Sequence, residues 1–89
     1  MARLFARHLV KDYAVWRQAF DDFAPYQEKM GVIASGVYRS DENPNDVTIW
    51  HDFATTDQAY ALAQSEVLKS TMMKAGVEGP PQIWITNAA

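Results

Sequence analysis

The sequence predicts a small α+β domain with the element order β-α-β-β-α-β. Three observations carry that prediction. Short apolar runs at residues 4–10, 32–40, 47–53 and 82–86 have strand length, two stretches between them repeat apolar residues at helical spacing, and the breaks fall on Gly, Pro, Asn and Asp. A chain of 89 residues supports one core only, since at this size about 60 to 65% of the unfolded surface is hidden on folding. The reading is a single domain over residues 1–89.

Strand one, Leu4 to Val10, is closed by Lys11-Asp12, and Asp12 is of the type that caps a helix. Tyr13, Trp16, Phe20, Phe23 and Met30 then recur at helical steps, which puts the aromatics on one face and leaves Arg17, Asp21, Asp22 and Glu28 on the other. Pro25 removes a backbone donor inside this run, so a kink is predicted near Asp21 or Asp22. Gly31 ends the helix. Strands two (32–40) and three (47–53) flank the turn-forming segment Asp-Glu-Asn-Pro-Asn-Asp and read as a hairpin. A Thr N-cap with Asp57 in the first turn starts the next helix, and Ser65 starts a further helical piece that closes at Gly76. Residues 77–81, Val-Glu-Gly-Pro-Pro, are predicted as a loop, with Gln82 to Thr86 as the last strand. This order is the ferredoxin-like arrangement, an antiparallel sheet with its helices on one face.

With Arg39 opposite Val47, the hairpin places Val37 against Ile49, Ser35 against His51 and Ile33 against Phe53. Two-residue alternation then sends Leu4, Ala6, His8, Val10, Val47, Ile49, His51, Phe53, Ile83 and Ile85 towards the helices. The opposite face carries Phe5, Leu9, Tyr38, Trp50 and Trp84, a larger apolar patch than soluble monomers usually leave uncovered. Burying three of those aromatics is worth roughly 5 to 8 kcal/mol before association costs. A second copy presenting the same face is the simplest cover, so a homodimer is expected, with Tyr38, Trp50 and Trp84 in its interface.

The segments "DYAVWRQAF", "VYRSDENPNDVTIW" and "SEVLKSTMMKAGVEGPPQIWI" resemble small bacterial proteins of the dimeric α/β barrel superfamily, close to the antibiotic biosynthesis monooxygenase group. The resemblance spans essentially the whole chain and implies two ferredoxin-like subunits paired into a barrel. It also implies a space beneath the helices where small organic ligands sit. That superfamily includes monooxygenases, haem-degrading enzymes, decarboxylases and dehalogenating enzymes. The chain lacks the first-strand Asn and the helix-borne His of the haem-degrading relatives, so haem is not expected and no cofactor is called for.

His8 and His51 are the candidate chemistry, since both point into the space beneath the helices. A neutral imidazole there can take a proton from an acidic phenol or activated C–H group, and the resulting anion can react with oxygen without flavin, metal or nicotinamide. His8 is read as the catalytic residue, or else as a core histidine bonded to a backbone carbonyl, Tyr13 or Tyr60. His51, Trp16, Phe20, Phe23, Tyr60 and Met72 are read as substrate-binding walls, with ordinary core packing as the alternative for each. The resulting function is cofactor-independent oxidation of a small aromatic or quinol-type compound. The alternative is a non-catalytic small-ligand binder or stress-related accessory protein.

Other classes are set aside on composition. There is no Cys, hence no thiolate chemistry, and two His without a convergent carboxylate make no metal site. A net charge of −3 with scattered basic residues offers no footprint for nucleic acid. No apolar segment has signal-peptide or membrane-spanning length, so no membrane partner and a cytoplasmic location are expected.

Overall fold

The computed structural model describes residues 1–89. Its elements run β1 (Ala2–Val10), α1 (Tyr13–Asp22), α2 (Ala24–Lys29), β2 (Val32–Arg39), β3 (Asp46–Phe53), α3 (Thr56–Ala63), α4 (Glu66–Lys74) and β4 (Val77–Asn87). The four strands form one antiparallel sheet in the order β2-β3-β1-β4, the ferredoxin-like topology; the first predicted helix is present as two shorter ones, and the second helical region is two pieces as expected. No helix is long and apolar enough to cross a membrane.

The helix starts follow their caps. The Asp12 carboxylate accepts from the N–H groups of Ala14 and Val15, Thr55 and Gln58 form a reciprocal capping box, and Ser65 Oγ accepts from Leu68 N–H. Gly31 and Gly76 close α2 and α4 with φ of 101° and 86°, a region that favours glycine. The kink expected at Asp21 or Asp22 is a full break at Phe23, and Pro25 stands in the first turn of α2. There its missing donor leaves no carbonyl unpaired, so the proline starts a helix in place of bending one.

Alternation sorts the two sheet faces as expected. Leu4, Ala6, Val10, Val47 and Phe53 are buried under the helices with Trp16, Leu62 and Ala59, and Ile83 and Ile85 pack against them. Two strand details differ from the sequence reading. Ile33 does not face Phe53: a bulge between Val32 and Ala34 pairs Val32 with Phe53 and leaves Ile33 60% exposed. Residues 77–81 are not a loop but the first half of β4, which pairs Val77 with Val10 and Glu78 with Leu9. Two prolines are tolerated because β4 is an edge strand and its register shifts between Arg7 and Leu9.

On the uncovered face an aromatic band crosses the sheet. The Trp50 indole lies over Gly36, its cross-strand partner, and Phe5 stacks on Trp84 at 5.3 Å between ring centres. Ion pairs border the band on both sides: Arg3 grips Asp52 at 2.7 and 3.0 Å and covers the Trp50 ring at 4.1 Å, while Arg7 grips Asp46. A Cβ on residue 36 would overlap the indole. Gly36→Ala is therefore expected to evict the Trp50 ring, destabilise the fold by about 1–3 kcal/mol and red-shift tryptophan emission; unchanged emission and stability would refute this packing.

Candidate functional site

A partly open apolar cavity lies between the helix layer and the sheet, and 13 of its 17 lining residues are hydrophobic. Its floor comes from β1, β3 and β4 through Leu4, Ala6, His8, Ile49, His51 and Ile83. Helix α1 supplies Trp16, Ala19 and Phe20, the break between α1 and α2 supplies Phe23, and α2 supplies Gln27. Leu62 and Ala63 of α3 and Leu68, Thr71, Met72 and Ala75 in and after α4 complete the wall. The free space is about 40 Å³, enough for water-sized guests but below the ~150 Å³ that receives a benzene ring.

Each imidazole sits against an aromatic ring of α1. His8 lies 5.5 Å from Trp16, Trp16 stacks on Phe20 at 5.1 Å, and Phe20 is parallel to His51 at 5.9 Å. The histidines differ in their hydrogen bonds. His51 Nδ1 is 2.6 Å from Ser35 Oγ, and its Nε2 is 3.5 Å from Gln27 Nε2. An amide nitrogen only donates, so His51 Nε2 accepts and Nδ1 carries the proton that Ser35 receives. His8 is 6% exposed, and neither of its ring nitrogens has a partner in the protein. The partners expected for a quiet core histidine, a backbone carbonyl, Tyr13 or Tyr60, do not bond it.

The structure brings together His8, His51, Trp16, Phe20, Phe23 and Met72. Tyr60 does not join them. It is 52% exposed and lines an outer groove with Trp84 and Ile85, because the face of α3 that meets the cavity is the one bearing Leu62 and Ala63. Gln27, 5% exposed and beside His51, was missed as a site residue. Its signal was its spacing, four residues after Phe23 on the aromatic face of the helix. Tyr38, Trp50 and Trp84 lie on the opposite side of the sheet, Tyr38 64% and Trp84 44% exposed. No three His, Cys, Asp or Glu side chains gather in one place.

The chain matches no protein-family profile and no curated protein by sequence. Its structure is similar to solved ones. A Bordetella bronchiseptica protein provisionally named an antibiotic biosynthesis monooxygenase superposes with a TM-score of 0.82 at 20% identity, over 99% of this chain and 96% of that one. SnoaB, a cofactor-independent oxygenase from Streptomyces nogalater, gives 0.78 at 12% identity over 99% and 92%. A conserved protein from Methanosarcina mazei Go1 gives 0.74 at 20% identity over 99% and 92%. The chain shares the ferredoxin-like fold of these proteins. At these identities the likeness extends to architecture, and the chemistry rests on the residues in the cavity.

Burial holds both imidazoles below their ordinary pKa of 6.5, His51 as low as about 4, with Asp46 and Asp52 pulling weakly the other way. The unfolded chain therefore binds more protons than the folded one between those values, so stability is full above about pH 6.5 and is lost as pH falls towards 4. For His51 the drop from 6.5 to about 4 corresponds to roughly 3 kcal/mol. Asp46 and Asp52, held below the ordinary carboxylate range by Arg7 and Arg3, add a further loss only below their usual value of 3.8. Urea unfolding between pH 7 and 4.5 is expected to show this decline in the wild type and a flatter one in His51→Gln; equal slopes would contradict it.

Proposed function

We propose that the protein is a cofactor-independent monooxygenase-like enzyme that oxidises a small aromatic or quinol-type compound in the cytoplasm, with His8 as base or hydrogen-bond partner. The observation that carries this reading is the pair of unpartnered ring nitrogens of His8, turned into an apolar cavity. A neutral imidazole offers one donor and one acceptor, and a buried polar group left without partners costs about 1–3 kcal/mol. A phenolic ring supplies apolar surface for Trp16 and Phe20 and a hydroxyl for His8. Proton transfer from that hydroxyl to His8 leaves a phenolate, which gives one electron to dioxygen. Recombination of the aryloxyl radical with superoxide forms a C–O bond, the His8 imidazolium returns its proton to the peroxide, and loss of water from the resulting hydroperoxide yields a quinone and leaves His8 neutral again. The ring supplies the electrons that reduce the second oxygen atom to water. The cavity contributes dryness, orientation and the base.

A second reading is favoured by the depressed basicity of both histidines: a weak base suits a binder that accepts a hydroxyl's hydrogen bond and changes nothing chemically. Ligand recovered intact after tight stabilisation would select it.

The uncovered aromatic band supports a homodimer joined face to face into an α/β barrel through Tyr38, Trp50 and Trp84. Only 15 of 89 residues are buried in the single chain, so a second copy would add materially to the hidden surface. Sedimentation at micromolar concentration is expected to give about twice the chain mass, and Trp84→Arg the mass of one chain; a monomeric wild type would overturn the barrel.

His8→Leu tests the site directly. Replacing a partnerless imidazole by an apolar side chain is expected to leave stability unchanged or raise it by about 1–3 kcal/mol, while oxygen uptake with phenols and quinols disappears. A loss of stability with uptake intact would remove His8 from the chemistry.

A further inference from the structure

The cavity's free space of about 40 Å³ is too small for the ring compound just proposed, so a ring is accommodated only if part of the wall moves aside. Three hollows on the surface adjoin the cavity, each sharing wall residues with it. One shares His8, in a strand bonded on both sides; one shares Ala63 and Ile83, a side chain too short to move aside and a β-branched one on a strand. The third, a groove of about 470 Å³ between α4 and β4, shares only Met72. An unbranched thioether with three rotatable bonds can swing without moving the backbone. The helix that carries it is also the least anchored, since α4 contains no buried residue.

The geometry points to this groove as an entrance site for small neutral ring compounds, with Met72 as the plug between it and His8. Its walls suit such a guest: Met73, Val77, Pro80 and Pro81 are apolar, and Lys69 contributes its methylene stem. The double-proline stretch of β4 builds one side of it, with Gly79 turning the chain at a φ of 70°. With the thioether swung outward, cavity and groove become one continuous space. Met72 then determines which rings pass, by size and by rate.

This inference rests on the reading that the His8 cavity takes a ring compound, and one experiment separates the two. Phenol is titrated into the full chain, and exchange rates are read from the line shape of the His8 ring C–H resonance. Met72→Ala is expected to raise the association rate at least tenfold, and Met72→Ile, a stiffer plug, to lower it at least fivefold. Val67→Ala, on the same helix but 52% exposed and outside every hollow, is expected to leave it unchanged. Unaltered rates in both Met72 variants, with phenol still binding at His8, would overturn the entrance and spare the cavity reading. Equal acceleration in Val67→Ala would assign the effect to a loosened helix and also overturn it. Absence of phenol binding at His8 in wild type and Met72→Ala alike would overturn both.

Discussion

Strand β1 runs through the interior of the sheet, hydrogen-bonded to β3 on one side and β4 on the other, and its two-residue alternation determines what each side of the molecule can do. Leu4, Ala6, His8 and Val10 turn towards the helices; Arg3, Phe5, Arg7 and Leu9 turn away. One frame thus builds a cavity floor and an aromatic band at once. A slip of a single residue would exchange them, placing guanidinium groups under the helices and both His8 and its neighbours in water. The ion pairs Arg3–Asp52 and Arg7–Asp46 oppose such a slip, because each joins β1 to β3 across the outer face.

The two histidines show how position alone separates similar side chains. His51 is held at both nitrogens by Ser35 and Gln27, and its contribution is structural order beside the cavity. His8, on the adjacent strand, has an aromatic neighbour in Trp16 and no polar one. Burial weakens both as bases, which lowers the driving force for proton removal yet keeps the rings neutral across the physiological range. A neutral ring can both donate and accept, the versatility a guest hydroxyl needs.

Much of this was legible in the sequence because it depends on period and on caps. The alternation of β1 and β3 placed His8 and His51 on one side, the helical spacing of Trp16, Phe20 and Phe23 covered them, and the register predicted Ser35 opposite His51. What was not legible depends on departures from period. The bulge at Val32 to Ala34 moved Ile33 off Phe53, and the edge position of β4 admitted prolines that read as a loop. Tyr60 was misplaced because α3 is short and its spacing permits either of two faces, whereas Gln27 was passed over as polar although it lies on the buried stripe. The size of the cavity is a sum over seventeen side chains, which no local pattern encodes.

Both outer strands of the sheet are irregular: β2 at Val32 to Ala34, and β4 where Gly79, Pro80 and Pro81 interrupt its pairing. A flat, unbroken border would offer a template on which further chains could add strand by strand. Proline lacks the amide proton for such growth, and a bulge twists the border out of line. In a protein with so much aromatic surface, irregular borders on both sides of the sheet work against strand-by-strand addition of further chains.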